Sequence, residues 1–269
     1  MKQAGSALIT GASSGIGLDL ARLFARDRHD VVLVARSEGK LRQLADELKR
    51  EHGIAAEVVV ADLSQPNAAR DVWSTVVEKG IAIDTLVNNA GYGLTGPFIE
   101  NDVKTELDMI QVNVVALTEL TKLVLPSMVA RKSGRILNLA STAGFQAGPL
   151  MAVYYATKAY VLSFSEAIAD ELRNSGVTVT TLCPGPTDTG FANVSKMTQS
   201  RLFTMSRPMT SEDVARIGYE AMKKGKGLVI TGMRNKLLVQ SNRVTPRRIV
   251  TAVVRKLQEQ RTAKGDAMP

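Results

Sequence analysis

Short apolar, β-branched runs alternate along this chain with longer stretches in which apolar side chains return every three or four positions. The runs at 6–10, 31–35, 58–61, 85–87, 134–139, 177–182 and 228–231 predict seven buried strands. Between them, Ile16, Leu20, Leu23 and Phe24 mark the inner face of a first helix. Leu41, Leu44, Ala45 and Leu48 mark a second over 37–52, which Gly53 ends. Further helices are predicted over 67–79 behind Pro66, over 101–129, from around Tyr154 to about 174, and over 211–224 with Thr210 or Ser211 as cap. Strand and helix in strict alternation imply a doubly wound α/β domain, a mainly parallel seven-stranded sheet covered by helices on both faces. The stretch 190–208 is polar with scattered Phe and Met and reads as a loop or a mobile helix pair.

The expected catalytic domain is 1–232, with 233–269 a C-terminal helical extension. In that extension Pro246 is expected at the first helical position after Thr245 as cap. Ile249, Val250, Val253, Val254 and Leu257 form an apolar stripe flanked by Arg247, Arg248, Arg255 and Lys256. The stripe fits docking on the domain or on a second subunit through Ile249, Val253 and Leu257, with a membrane-surface helix as the alternative. Residues after Thr262 are expected to be disordered.

Composition narrows the class. The chain has 269 residues and a net charge of +8, but from Lys223 onward there are 12 basic residues against 2 acidic, so the main body is slightly acidic. Nothing here suggests a nucleic-acid partner. Uninterrupted apolar runs fall short of the roughly 20 residues of a membrane span. Cys183 is the one cysteine, so no intrachain disulfide forms, and its neighbours suggest a buried, inert thiol. His29 and His52 stand apart, with no set of metal ligands around them. A cytoplasmic protein is expected.

The chemistry starts at Gly11-Ala12-Ser13-Ser14-Gly15-Ile16-Gly17, between a strand and a helix. Gly11 permits a tight turn, Gly15 a close approach to the backbone and Gly17 tight helix–strand packing. The helix N-terminus offers free N–H groups to a pyrophosphate. An ordinary βα turn also fits. The second strand ends at Ala35, where an acid that holds a ribose 2′-hydroxyl is commonly found, and Arg36-Ser37 follow. A guanidinium there suits a 2′-phosphate, though a surface arginine is the plain alternative, and Lys40 lies one helical turn on. In the helix around 154–158, Tyr154 and Lys158 share a face. A cation beside a phenol favours the phenolate, lowering a pKa that is ordinarily about 10. A helix face with a snorkelling lysine fits the same spacing.

Taken together these residues resemble the short-chain dehydrogenase/reductase family over 6 to about 232, closest to NADP-preferring members and to the broad bacterial group around 3-ketoacyl and steroid reductases. Thr10-Gly11-x-x-x-Gly15-Ile16-Gly17 is similar to its cofactor turn. Asn88-Asn89-Ala90-Gly91 is similar to its fourth-strand motif, Ser141 with Tyr154-x-x-x-Lys158 to its catalytic signature, and Pro184-Gly185 to the turn beside the nicotinamide. Two features depart from it: Ser14 stands where NADP enzymes often carry a basic residue, and the tail is longer than in the shortest members.

The resemblance implies a Rossmann-type fold, NADP(H) as cofactor, a carbonyl or secondary alcohol as substrate and a homodimer or homotetramer. It implies that Asn113, Ser141, Tyr154 and Lys158 are catalytic. In that scheme Ser141 holds the carbonyl oxygen, Tyr154 protonates it, Lys158 lowers the tyrosine pKa and holds the ribose, and Asn113 supports a water. The cofactor set it implies is Gly11, Ser13, Ser14, Gly15, Ile16, Gly17, Arg36, Ser37, Asp62, Leu63, Asn89, Ala90, Gly91, Tyr154, Lys158, Pro184, Gly185, Thr187 and Thr189. Tyr92, Phe98, Phe145, Tyr155 and the 190–208 segment are expected to line an apolar substrate pocket. A non-catalytic cofactor-binding regulator and a membrane-associated lipid reductase are the alternatives.

Overall fold

Each apolar run becomes a strand of one sheet in the computed structural model, which describes residues 5–189 and 208–259. Strands β1 (Ser6–Thr10), β2 (Asp30–Ala35), β3 (Ala56–Val60), β4 (Ile83–Asn88), β5 (Gly134–Leu139), β6 (Val177–Cys183) and β9 (Leu228–Ile230) form it. The spatial order is β3-β2-β1-β4-β5-β6-β9, and every pairing is parallel. Two further short strands, β7 (Thr187–Asp188) and β8 (Met209–Thr210), pair with each other and flank residues 190–207. The segment expected as a loop or helix pair lies outside the described residues, except for Pro208, and so does the stretch after Thr262.

Parallel strands need covered faces, and the amphipathic helices supply the cover. On one face α1 (Gly15–Arg26), α2 (Glu38–His52) and α7 (Ser211–Lys223) bury Leu20, Phe24, Leu41, Leu48, Tyr219 and Met222. On the other, α3 (Ala68–Glu78), α5 (Leu117–Ala130) and α6 (Ala152–Glu171) bury Val72, Val76, Leu120, Val124 and Met128, with Ile168 half-buried against them. Successive strands build outward from β1 to β3, and β4 then returns to the other side of β1. The chain therefore reverses direction between β1 and β4, which opens a crevice beyond their C-terminal ends.

Two local expectations change. The single helix expected over 101–129 is α4 (Val103–Ile110), a π-helical turn (Gln111–Ala116) and α5. The turn adds one residue to the helical repeat and buries Asn113. By length and composition Val103–Ala130 would also pass for a membrane span, although 44% of its most apolar window is buried in the domain. In the tail, an additional helix α8 (Met233–Ser241) precedes α9 (Arg247–Gln258). Pro246 is the cap of α9 rather than its first residue, because the Thr245 hydroxyl donates back to the Ser241 carbonyl at 2.8 Å.

Against its own domain, α9 does not dock through Ile249 and Val253. Ile249 and Val253 are 54% and 52% exposed. Val250, Val254 and Gln258, spaced four apart, turn inward instead. Burial of a glutamine was not foreseeable from an apolar stripe. Half of the Gln258 amide is satisfied there: its Nε2 donates to the Tyr155 hydroxyl at 2.7 Å, while Oε1 is buried with no partner among the described residues.

Candidate active site

A cleft of about 760 Å³ runs along the C-terminal strand ends. At one end is the glycine turn after β1. Gly11 and Gly15 have φ of +68° and +53°, which side chains resist. A Cβ on Gly11 would lie 2.7 Å from Asn89 Nδ2. Gly17 lies behind the turn, where a Cβ would meet the Gly11 carbonyl oxygen at 2.4 Å, so its part is packing rather than lining. Thr10 and Asn89 tie the turn to β4. The Thr10 hydroxyl accepts from the Asn89 and Ala90 amides, and Asn89 Nδ2 donates to the Thr10 carbonyl at 2.8 Å. Helix α1 starts with no acid in its first turn and no side chain capping it, so its positive end faces the cleft uncompensated. These features fit the phosphates of a dinucleotide.

Further along the cleft, Ser13, Ser14, Ile16, Arg36, Ser37 and Lys40 line the wall nearest β2. Arg36 is largely exposed, 3.9 Å from Asp62. Burial pushes the Asp62 carboxyl up. Hydrogen bonds from the Ser64 amide and hydroxyl, with Arg36 nearby, outweigh it and leave the group below its usual range. Leu63, Ala90, Gly91, Pro184, Gly185, Thr187 and Thr189 complete the lining, with Thr189 against Gly15.

Ser141, Tyr154 and Lys158 meet at the other end. Ser141 caps a 3-10 turn (Thr142–Phe145) at the end of β5, and its side chain hydrogen-bonds Tyr154 on α6. Lys158, one turn along α6, is buried. Its Nζ donates to the Leu139 carbonyl at 2.8 Å and lies 5.8 Å from the Tyr154 ring centre. The expected lowering of the tyrosine pKa is not what this geometry produces. Both groups are enclosed, and enclosure favours neutral forms. Burial raises the Tyr154 phenol well above 10, only partly offset by Ser141, and lowers Lys158 to about 8.

Asn113 does not reach the cleft. Its Oδ1 accepts from the Tyr92 amide at 3.1 Å, and its Nδ2 donates to the Tyr92 carbonyl at 2.9 Å and to Thr157 Oγ1 at 3.0 Å. Thr157 donates in turn to the Tyr154 carbonyl. The residue expected to support a water thus uses its side chain to join the loop after β4 to α6.

The substrate side is apolar. Tyr92, Val112, Ala143, Met151 and Tyr155 line it. Phe98, expected here, is 67% exposed outside the cleft, and Phe145 packs near Cys183 in a separate cluster. Met151 was missed because nothing in the sequence places the residue before α6 against α9. Cys183 is buried, with its thiol pushed up to about 12 by that burial.

Fold and cleft together define a dinucleotide-binding α/β protein of the Rossmann type. The chain belongs to the short-chain dehydrogenase family, whose model matches residues 6–200. It is 36% identical over 194 residues to a very-long-chain 3-oxoacyl-CoA reductase of Anas platyrhynchos. That match covers 71% of this chain and 62% of the duck protein, less than two thirds of its length. It is 33% identical over 248 residues to ketoacyl reductase HetN of Nostoc, covering 89% of this chain and 84% of that one. Among solved structures, a short-chain dehydrogenase from Sphingobium yanoikuyae in complex with NADPH superposes with a TM-score of 0.80 at 33% identity, covering 89% and 94% of the two chains. A Burkholderia phymatum relative carrying NAD has a TM-score of 0.79 at 26% identity, covering 89% and 94%.

Proposed function

We propose that the protein is an NADP(H)-dependent oxidoreductase that interconverts a lipophilic ketone and its secondary alcohol. The observation that carries this reading is the convergence of Ser141, Tyr154 and Lys158 at one end of a cleft whose other end is a glycine turn under a bare helix N-terminus. Bound there, a nicotinamide cofactor supplies the hydride chemistry. The protein's part is positioning and proton handling. Ser141 holds the carbonyl oxygen as negative charge develops on it, and Tyr154 delivers the proton to that oxygen. Lys158 supports the tyrosine and the ribose. The raised phenol pKa keeps Tyr154 in its acid form across the neutral range, which suits the reductive direction.

Arg36 and Lys40 at the end of β2, with no acid at position 35, favour a 2′-phosphate. The apolar wall of Tyr92, Met151 and Tyr155 favours a lipophilic carbonyl, in keeping with ketoacyl reductases among the relatives. A cytoplasmic homodimer or homotetramer belongs to the same proposal.

The test is NADPH oxidation against ketones, aldehydes and acyl thioesters of graded chain length, with Tyr154→Phe as control. Turnover that rises with chain length and fails in the variant is the expected result. Tight NADPH binding without turnover on any substrate would make the protein a cofactor-binding regulator instead.

A further inference from the structure

Helix α9 has two unlike faces. The inner one, Val250, Val254 and Gln258, closes on Met109, Met151 and Tyr155 beside the catalytic tyrosine. The outer one carries Ile249 and Val253, both exposed. Helix α8 and the connection to α9 expose Met233, Leu237, Leu238 and Val244. These six are a large share of the exposed bulky apolar residues, gathered in one tenth of the chain. Between them stand seven Lys and Arg, against the single carboxylate of Glu259 within 233–259. Among the described residues only Arg255 has an acidic partner, Glu259 at 3.7 Å. Arg234, Lys236, Arg243, Arg247, Arg248 and Lys256 have none.

A solvated helix surface has no use for six exposed apolar side chains, and a docked one would have partners for its cations. Apolar and cationic residues interleaved on exposed helices match one kind of surface, an acyl-chain boundary beneath anionic headgroups. We propose that α8 and α9 seat the protein on an anionic phospholipid bilayer, without crossing it. The apolar residues enter the headgroup boundary while the six free cations meet phosphates, so the attachment is reversible and salt-sensitive. One helix then separates the bilayer from the substrate end of the cleft. A lipophilic substrate could pass between them without crossing bulk water. The docking itself does not depend on which reaction the cleft performs.

The experiment is vesicle flotation of the full chain with phosphatidylcholine alone or with 30% phosphatidylglycerol, at roughly 0.1 M and 1 M salt. The protein should float with the anionic vesicles only, and less at high salt. Arg247→Glu/Arg248→Glu should reduce partitioning at least about tenfold, since each headgroup contact by a cation is worth about 1 kcal/mol. Ile249→Ser/Val253→Ser should reduce it as well, with melting unchanged in both variants. No flotation with anionic vesicles overturns the proposal, as does equal flotation with neutral ones. If the serine variant floats normally, the apolar residues do not enter the headgroup boundary and the seating proposed here is overturned. If that variant changes the native mass in solution, the face belongs to a second copy of the chain. Should the charge variant fail to fold, the salt titration of the wild type decides.

Discussion

At the scale of single residues, enclosure dominates this site. Lys158 has a pKa of about 8 in the folded chain against an ordinary 10.5, because burial penalises its charge. The unfolded chain therefore binds the extra proton between these values, and stability rises with pH across that window. Below about pH 8 the buried cation costs stability in full. Lys158→Met should be the more stable protein there, by an amount on the order of 3 kcal/mol at most, and its advantage should shrink from pH 8 to 10.5. Denaturant titrations of both proteins across this range check it, and a gap constant with pH would show that Lys158 is not depressed. Tyr154→Phe keeps the ring packed and removes only the hydroxyl. NADPH affinity should hold while turnover falls by about 10² to 10⁴. Arg36 lines the wall of the cleft nearest β2. The wild type should favour NADPH by about tenfold or more, or 1.4 kcal/mol, and Arg36→Asp should reverse that order. Equal binding curves for both cofactors in the wild type would refute the role given to Arg36.

Between elements, two buried amides hold α6 in place. Asn113 on the π-helical turn pairs the Tyr92 backbone and Thr157. Asn113→Ala would leave the half-buried Tyr92 amide and carbonyl without these partners, at a cost toward the lower end of the roughly 1–3 kcal/mol for a stranded group. Chemical denaturation should show the loss, and turnover should fall with it as the Tyr154 helix loosens. Gln258 does the same from α9, through Tyr155. Tyr155 lines the substrate side and meets the Tyr154 ring edge-on at 6.0 Å. Gln258→Ala should therefore raise KM for bulky ketones more than it lowers kcat. A variant with unchanged KM would mean that α9 is only a cover.

For the whole molecule, the surface of α4, the π-helical turn and α6 leaves Val103, Leu107, Val115 and Tyr160 exposed, and Tyr160 stacks on Phe164. Helices that cover a sheet turn polar residues outward, so this face fits a subunit contact. Val115→Arg with Tyr160→Glu should lower the mass measured by light scattering and leave NADPH binding in place. An unchanged mass would move the subunit contact elsewhere or make the protein a monomer.

The strands, their parallel arrangement and the glycine turn were legible in the sequence because each rests on local rules. Continuous β-branched runs such as Val31 to Val34 have no other stable home, and Gly11 and Gly15 stand where a strand must turn sharply into a helix. Tyr154 and Lys158 share a face by helical periodicity alone. Other features depended on neighbours distant in sequence. The sign of the Tyr154 and Lys158 pKa shifts follows from how tightly β5, β6 and the 3-10 turn close on α6 around them. The break in the helix at Asn113 answers to Tyr92, 21 residues earlier. The inward turn of Gln258 answers to Tyr155, 103 residues earlier. Apolar periodicity records which side chains avoid water, and α9 has two adjacent apolar rows that satisfy it equally. Only the shape and hydrogen-bonding groups of the surface it meets choose between them.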